Sequence, residues 1–154
     1  TMAGFASVSL IGFGAFLGLY FLSEPIIQML FQRGEFLYSD TLQTSSSLLA
    51  YAFGLPFLMS NKFFNSIYFA IAKTKLVLWL GVFSLLLNII FNYVFVYIFG
   101  LEHVGIALAT SIASIFVFIV SVAWLSLNKF FNKGAVLLAF AFIIFIAILI
   151  SNTY

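Results

Sequence analysis

Three of the polar side chains that lie inside the long apolar stretches of this sequence could recognise a solute. Lys62 interrupts one stretch, and Asn88 and Asn92 stand four residues apart in another. An ammonium group pairs well with phosphate, and an amide both donates and accepts hydrogen bonds. These residue types favour recognition of an anionic, hydrogen-bonding solute over bond-breaking chemistry.

No part of the sequence has the pattern of an enzyme active site. There is no cysteine and no phosphate-binding Walker loop, and the single histidine, His103, cannot anchor a zinc site alone. We therefore predict a protein that is not an enzyme and that needs no metal and no cofactor. A proton relay within a membrane is also not expected, because we place all the acids in loops: Glu24, Glu35, Asp40 and Glu102.

The composition shows what kind of structure must position these side chains. Of the 154 residues, 65% are hydrophobic and 6% are charged, with a mean hydropathy of +1.26. A soluble domain is about half apolar and about a quarter charged. This composition excludes a soluble enzyme, a disordered tail and a nucleic-acid partner. It predicts an all-α polytopic membrane bundle surrounded by membrane lipids.

Charges and turn residues divide the chain into blocks that suit membrane-crossing helices of about 17–25 residues. The second block is too long for a straight crossing and contains Gly54 and Pro56, which predict a helix kink. Asp40 is a candidate N-cap for this helix. We predict about five transmembrane helices in one membrane domain, at residues 2–22, 45–72, 76–99, 104–127 and 134–150.

Close helix packing and one tight turn are also predicted. Gly34, which follows Arg33 in the first loop, suits a turn with positive φ, and Arg33 with Glu35 suits a solvated pair. Small residues at helical spacing allow helix backbones to approach each other. They occur at Gly14 and Gly18, at Ala50 and Gly54, and at Ala107, Ser111, Ser114 and Ser121.

Basic residues predict the orientation. Lys62, Lys73, Lys75, Lys129 and Lys133 fall towards one side, against Arg33 on the other. We expect the lysine side, and with it the N-terminus, to be cytoplasmic. The C-terminus at Tyr154 is then expected in the periplasm.

Each polar side chain within the apolar stretches has two possible roles. Lys62 can snorkel towards the cytoplasmic face, or it can face a hydrated cavity that admits an anionic substrate. Asn88 and Asn92, with Ser84, form a polar helix face that can bond to another helix or line a solute pathway. Both alternatives stay open at this stage for each site.

Beyond these patterns, several short segments resemble the MurJ/MviN family of lipid II flippases over roughly residues 22–129. These are Glu24-Pro25-Ile26-Ile27, Leu30–Phe36, Asp40-Thr41, Ala50–Pro56, Lys62 with Tyr68 and Ala70, Asn88 with Asn92, and Gly105–Ser111. One departure is Thr74-Lys75, where the family usually has Thr-Pro.

The resemblance implies a function and a place within a larger fold. The family has fourteen transmembrane helices in two lobes plus two extra helices, and this chain resembles the ninth to the thirteenth. Family members are understood to move undecaprenyl-diphosphate-linked peptidoglycan precursor, lipid II, across the bacterial inner membrane by alternating access. The family's cavity arginines lie largely in helices that this chain lacks, so the implied partners are the missing N-terminal helices of the same transporter. The abrupt apolar start at Thr1 also suggests part of a longer protein.

Two other functions are compatible with the sequence. One is another polysaccharide or multidrug-type exporter of the same superfamily, which upstream sequence without basic cavity residues would favour. The other is a membrane scaffold subunit that transports nothing.

Overall fold

The computed structural model describes residues 2–34 and 36–127. This part of the chain is helical, which confirms the all-α membrane fold. Three helical stretches are long and apolar enough to cross a membrane: Ala3–Phe31, Thr74–Ile98 and Glu102–Leu127. The helices are α1 (Met2–Phe31), α2 (Tyr38–Ala70), α3 (Thr74–Tyr93), which a π-helical segment (Val94–Ile98) extends, and α4 (Glu102–Leu127).

Some sequence predictions lie outside the described residues. These are the span at 134–150, the basic residues Lys129 and Lys133, Glu35 of the first loop, and the chain ends Thr1 and Tyr154.

Helix α2 lies between α1 and α4. The ring of Phe5 in α1 stacks on that of Phe64 in α2 with centroids 5.5 Å apart, and Phe16 lies 5.3 Å from Phe53. These pairs run in opposite chain directions, so α1 and α2 are antiparallel. Both interfaces of α2 bury aromatic rings, which supply much of the packing between the helices.

On its other side, α2 packs against α4 in the parallel direction. Phe57 pairs with Phe118, and Tyr68 pairs edge-on with Trp124, both at a centroid distance of 5.3 Å. Helix α3 packs mainly on α4 and returns to it through a tight turn at Gly100, whose φ is +64°. Because α2 and α4 are parallel, α4 ends at Leu127 on the same side of the bundle as the α2–α3 turn.

Helix α1 continues past Leu22, where the sequence predicts the first span to end, and reaches Phe31. Glu24 and Pro25 therefore lie inside this helix, and the prediction that Glu24 lies in a loop is wrong. The reason is that the apolar run resumes after Pro25, and a proline removes only one backbone donor from the helix. Half-buried Glu24 thus lies within a stretch that is apolar enough to cross a membrane.

A hydrogen bond between side chains joins the end of α1 to the start of α2. The hydroxyl of Tyr38 donates to a carboxylate oxygen of Glu24 at 2.8 Å. This hydrogen bond, together with the negative charge of Glu24, raises the pKa of Tyr38 above its ordinary value of 10.0.

Two further loop predictions are corrected by the helix boundaries. Asp40 does not cap α2 from outside, because the helix already begins at Tyr38; its carboxylate instead accepts the backbone N–H of Leu37 at 2.8 Å. Glu102 and His103 are in the first turn of α4 and not in the loop before it. An acid in the first turn of a helix is favoured by the helix dipole.

Candidate functional site

The open face of α2 is the side of this helix that neither α1 nor α4 covers. It carries polar residues towards both ends, with half-buried Leu55 and Leu58 between them. Lys62, Tyr51 and Ser66 are exposed there. The buried residues of α2, among them Ala52, Phe57 and Phe64, lie on its other sides. The polar members of the open face, spaced at helical intervals over most of the helix, are Thr44, Ser47, Tyr51, Lys62, Asn65 and Ser66.

Lys62 is exposed on this open face, in the last third of α2 and towards the α2–α3 turn. Its backbone carbonyl accepts the hydroxyl of Ser66 at 3.2 Å, which turns that hydroxyl back onto the helix. Lys62 is the only lysine or arginine of α2, so it is the one cation on the open face. Its ammonium group is accessible to a ligand from that side.

The two amides of α3 form a hydrogen-bonded chain that ends on α4. Asn92 donates to the side-chain oxygen of Asn88 at 2.8 Å, and Asn88 donates to the hydroxyl of Thr110 at 3.1 Å. Thr110 in turn donates to the carbonyl of Ile106 at 3.1 Å. The structure thus gives Asn88 an interhelical hydrogen bond. The side-chain oxygen of Asn92 is buried and has no partner among the described residues.

Gly54 and Pro56 mark the points where α2 comes closest to both of its neighbours. A Cβ on Gly54 would lie 2.9 Å from the Cα of Ser111 in α4. A Cβ on Gly12 of α1 would lie 2.9 Å from the Cα of Pro56. Helix α2 runs through this crossing without a break, and a kink at Pro56 stays a prediction.

Side-chain hydrogen bonds to backbone carbonyls hold α2 and α4 together. The hydroxyl of Ser111 donates to the carbonyl of Ala50 at 2.6 Å, and the amide of Asn61 donates to that of Ser114 at 2.9 Å. Nearer the α2–α3 turn, the hydroxyl of Tyr68 donates to the carbonyl of Ser121 at 3.2 Å. The face of α4 with small residues, predicted for close packing, is buried here.

Other predicted features do not join this site. Gly14 and Gly18 meet no other helix among the described residues, since a Cβ at either position would have open space within 4 Å. Gly34 has a φ of +61°, as expected for its turn, and Arg33 beside it is exposed at the opposite end of α2 from Lys62. Within the described ranges, no group of acidic residues, histidine or cysteine could hold a metal ion.

Similarity to known proteins identifies the family of this chain. The family model described as "Lipid II flippase MurJ" matches residues 3–153. The chain belongs to the MurJ family. The membership confirms the resemblance carried by the short segments between α1 and α4, and it makes the chain a multi-pass membrane protein of a transporter family.

Three MurJ relatives show how much of the family protein is represented. The "Probable lipid II flippase MurJ" of Vibrio cholerae is 39% identical over 111 residues, which are 72% of this chain and 21% of the relative. The "Lipid II flippase MurJ" of Thermosipho africanus is 44% identical over 100 residues, 64% of this chain and 20% of the relative. The Rickettsia prowazekii relative is 35% identical over 105 residues, 68% of this chain and 20% of the relative. The chain thus spans about a fifth of the length of these MurJ relatives, and no solved structure matches it significantly.

The sequence pattern does not predict the helix contacts of three residues of this chain, Gly12, Asn61 and Thr110. Gly12 lies outside any recognised small-residue pair, although α1 approaches α2 closely there: a Cβ on Gly12 would lie 2.9 Å from the Cα of Pro56. Asn61 and Thr110 each bond to a residue on another helix, which is far away in the sequence. A signal did exist for Thr110, because it belongs to the segment of α4 that resembles the family. Its role as the partner of Asn88 depends on how α3 and α4 pack.

Proposed function

We propose that this chain forms part of a lipid II flippase in the bacterial inner membrane, and that it helps to move undecaprenyl-diphosphate-linked peptidoglycan precursor by alternating access. The observation that carries this proposal is the open polar face of α2 with Lys62, in a chain that belongs to the MurJ family. A polar face on a helix within an apolar bundle is costly against lipid, and so suits a hydrated pathway. The remainder of that pathway comes from further helices of the same transporter.

In this proposal, the polar residues bind and orient the substrate without catalysing a reaction. Lys62 pairs with the diphosphate, because an ammonium group is a compact charge that forms strong hydrogen bonds with phosphate oxygens. Asn88 and Asn92 line the pathway at α3 in this proposal, and the substrate reaches the buried oxygen of Asn92 only when α3 and α4 separate there. A kink at Pro56, next to Gly54, lets the two halves of α2 tilt separately.

The proposed orientation places the α2–α3 turn with Lys73 and Lys75 in the cytoplasm, and the N-terminus with it. Arg33 and His103 are then in the periplasm. The C-terminus, outside the described residues, is proposed to be periplasmic as well.

The orientation predicts a specific labelling pattern. The chain has no cysteine, so a single cysteine can replace exposed Ser39 at the start of α2 or exposed Thr74 at the start of α3. An impermeant thiol reagent added to intact spheroplasts should label Ser39→Cys, and Thr74→Cys only after the membrane is opened. The reverse pattern would refute the orientation.

The proposed function is tested by exchanging segments between relatives. In the Vibrio cholerae relative, the matching segment is replaced by that of this chain, and the chimera is expressed in a bacterium depleted of its own flippase. We expect growth to be restored, while the relative without the segment should not support growth. A chimera that accumulates normally in the membrane without restoring growth would contradict the proposal.

A further inference from the structure

The outer face of α3, which points away from α4, has an ordered arrangement of residue types. It begins with Lys75, continues one turn later with Trp79, and ends with Tyr93 and Tyr97. Trp79 is 69% exposed, and the two tyrosines are 61% and 77% exposed. Between these aromatic residues the same face exposes only aliphatic and phenylalanine side chains: Val82, Phe83, Leu86, Ile89 and Ile90.

This arrangement matches the cross-section of a bilayer. Trp79 and Tyr97 are separated by about 27 Å along the helix at about 1.5 Å per residue, close to the hydrocarbon thickness of about 30 Å. Tryptophan and tyrosine are enriched at both membrane–water interfaces, and lysine places its charge among the headgroups. The polar residues Asn88 and Asn92 are on the opposite side of the helix, where Asn88 bonds to α4.

The end of this face near the α2–α3 turn is positively charged. Lys73 and Lys75 are both exposed, and the helix begins between them at Thr74. None of the three acids among the described residues lies here: Glu24 is towards the far end of α1, Asp40 is in the first turn of α2 and Glu102 begins α4, all at the other end of the bundle. The positive dipole end of α3 adds to the charge of the two lysines.

We infer that the outer face of α3 is a lipid-facing boundary of the protein, and that Lys73, Lys75 and Trp79 bind the headgroup of an anionic phospholipid. The lysines pair with the headgroup phosphate, and the indole of Trp79 lies at the junction of headgroup and acyl chain. The apolar residues that follow along the face contact the acyl chains. This site is separate from the open face of α2, and it does not depend on the substrate proposed for Lys62.

The two tryptophans of the chain provide a test with an internal control, because Trp124 is half-buried against Tyr68. Trp124→Phe leaves only Trp79, and Trp79→Phe leaves only Trp124. Each variant of the full chain is placed in phosphatidylcholine vesicles that contain increasing fractions of brominated phosphatidylcholine or brominated phosphatidylglycerol. Bromine quenches the fluorescence of a tryptophan that it contacts.

We expect both brominated lipids to quench Trp79 more than Trp124, and brominated phosphatidylglycerol to act at a lower fraction. The preference should be about fivefold for each lysine, and Lys73→Gln with Lys75→Gln should abolish it without changing quenching by phosphatidylcholine. Arg33→Gln removes one charge at the other end and should keep the preference. Equal quenching of Trp79 by both lipids would overturn the anionic site. A Trp79 that neither lipid quenches would show that protein covers this face, and would overturn the whole inference.

Discussion

Gly54→Ala should strongly destabilise the packing of α2 against α4. The new Cβ would lie 2.7 Å from the hydroxyl oxygen of Ser111 and 2.9 Å from its Cα. The hydroxyl could rotate away, but the Cα belongs to the backbone of α4, so the two helices must separate. Overpacking of this kind costs about 1–3 kcal/mol. The free energy of unfolding of the purified chain in detergent, measured by titration with a denaturing detergent, should fall by that amount.

Gly81→Ala is the matched control for this prediction. Gly81 is exposed on α3, and a Cβ there would meet nothing within 4 Å. Alanine is favoured over glycine within a helix by about 1 kcal/mol, so this variant should be as stable as the parent or more stable. If Gly54→Ala were no less stable than Gly81→Ala, α2 and α4 would not cross at Gly54.

Lys62→Gln should weaken substrate transport in the chimera with the Vibrio cholerae relative. Loss of a charge-assisted hydrogen bond of about 1.5–3 kcal/mol corresponds to roughly 10- to 150-fold weaker binding of the diphosphate. Growth of the flippase-depleted bacterium should then fail or slow markedly, although the protein accumulates normally in the membrane.

Lys62→Arg is the control, because it keeps the positive charge and should retain part of the activity. The alternative role of Lys62 makes the opposite prediction. If Lys62 only snorkels to the cytoplasmic face, Lys62→Gln should be nearly silent, since an amide is cheaper to insert into a membrane than an ammonium group. Normal growth of the Gln variant at the parental protein level would rule out the substrate role.

The helical fold could be predicted from the sequence because long apolar runs with few charges have few other solutions in a membrane. The end of α1 could not. Glu24-Pro25 has the local pattern of a helix end, yet the apolar residues that follow up to Phe31 continue the helix. The π-helical segment Val94–Ile98 likewise has no signal in residue type.

Helix partners were harder to predict than helices. The spacing of Gly14 and Gly18 is typical of a helix contact, but in the described residues the contact of α1 is made by Gly12 against Pro56. Spacing shows which residues share a face, whereas the partner depends on how all the helices pack. For the same reason the polar face with Asn88 could be predicted, and its bond to Thr110 could not.

The most direct measurement of the central claim asks which lipid lies next to Lys62. A photoreactive amino acid is placed at position 66 or at position 86 of the chimera in growing cells, so that Lys62 is kept, and the crosslinked lipid is identified by mass spectrometry. Ser66 is exposed on the open face of α2 one turn from Lys62, and Leu86 is on the outer face of α3. We predict that position 66 crosslinks to lipid II and that position 86 crosslinks to phospholipid alone. Phospholipid alone at both positions would contradict a substrate pathway along α2.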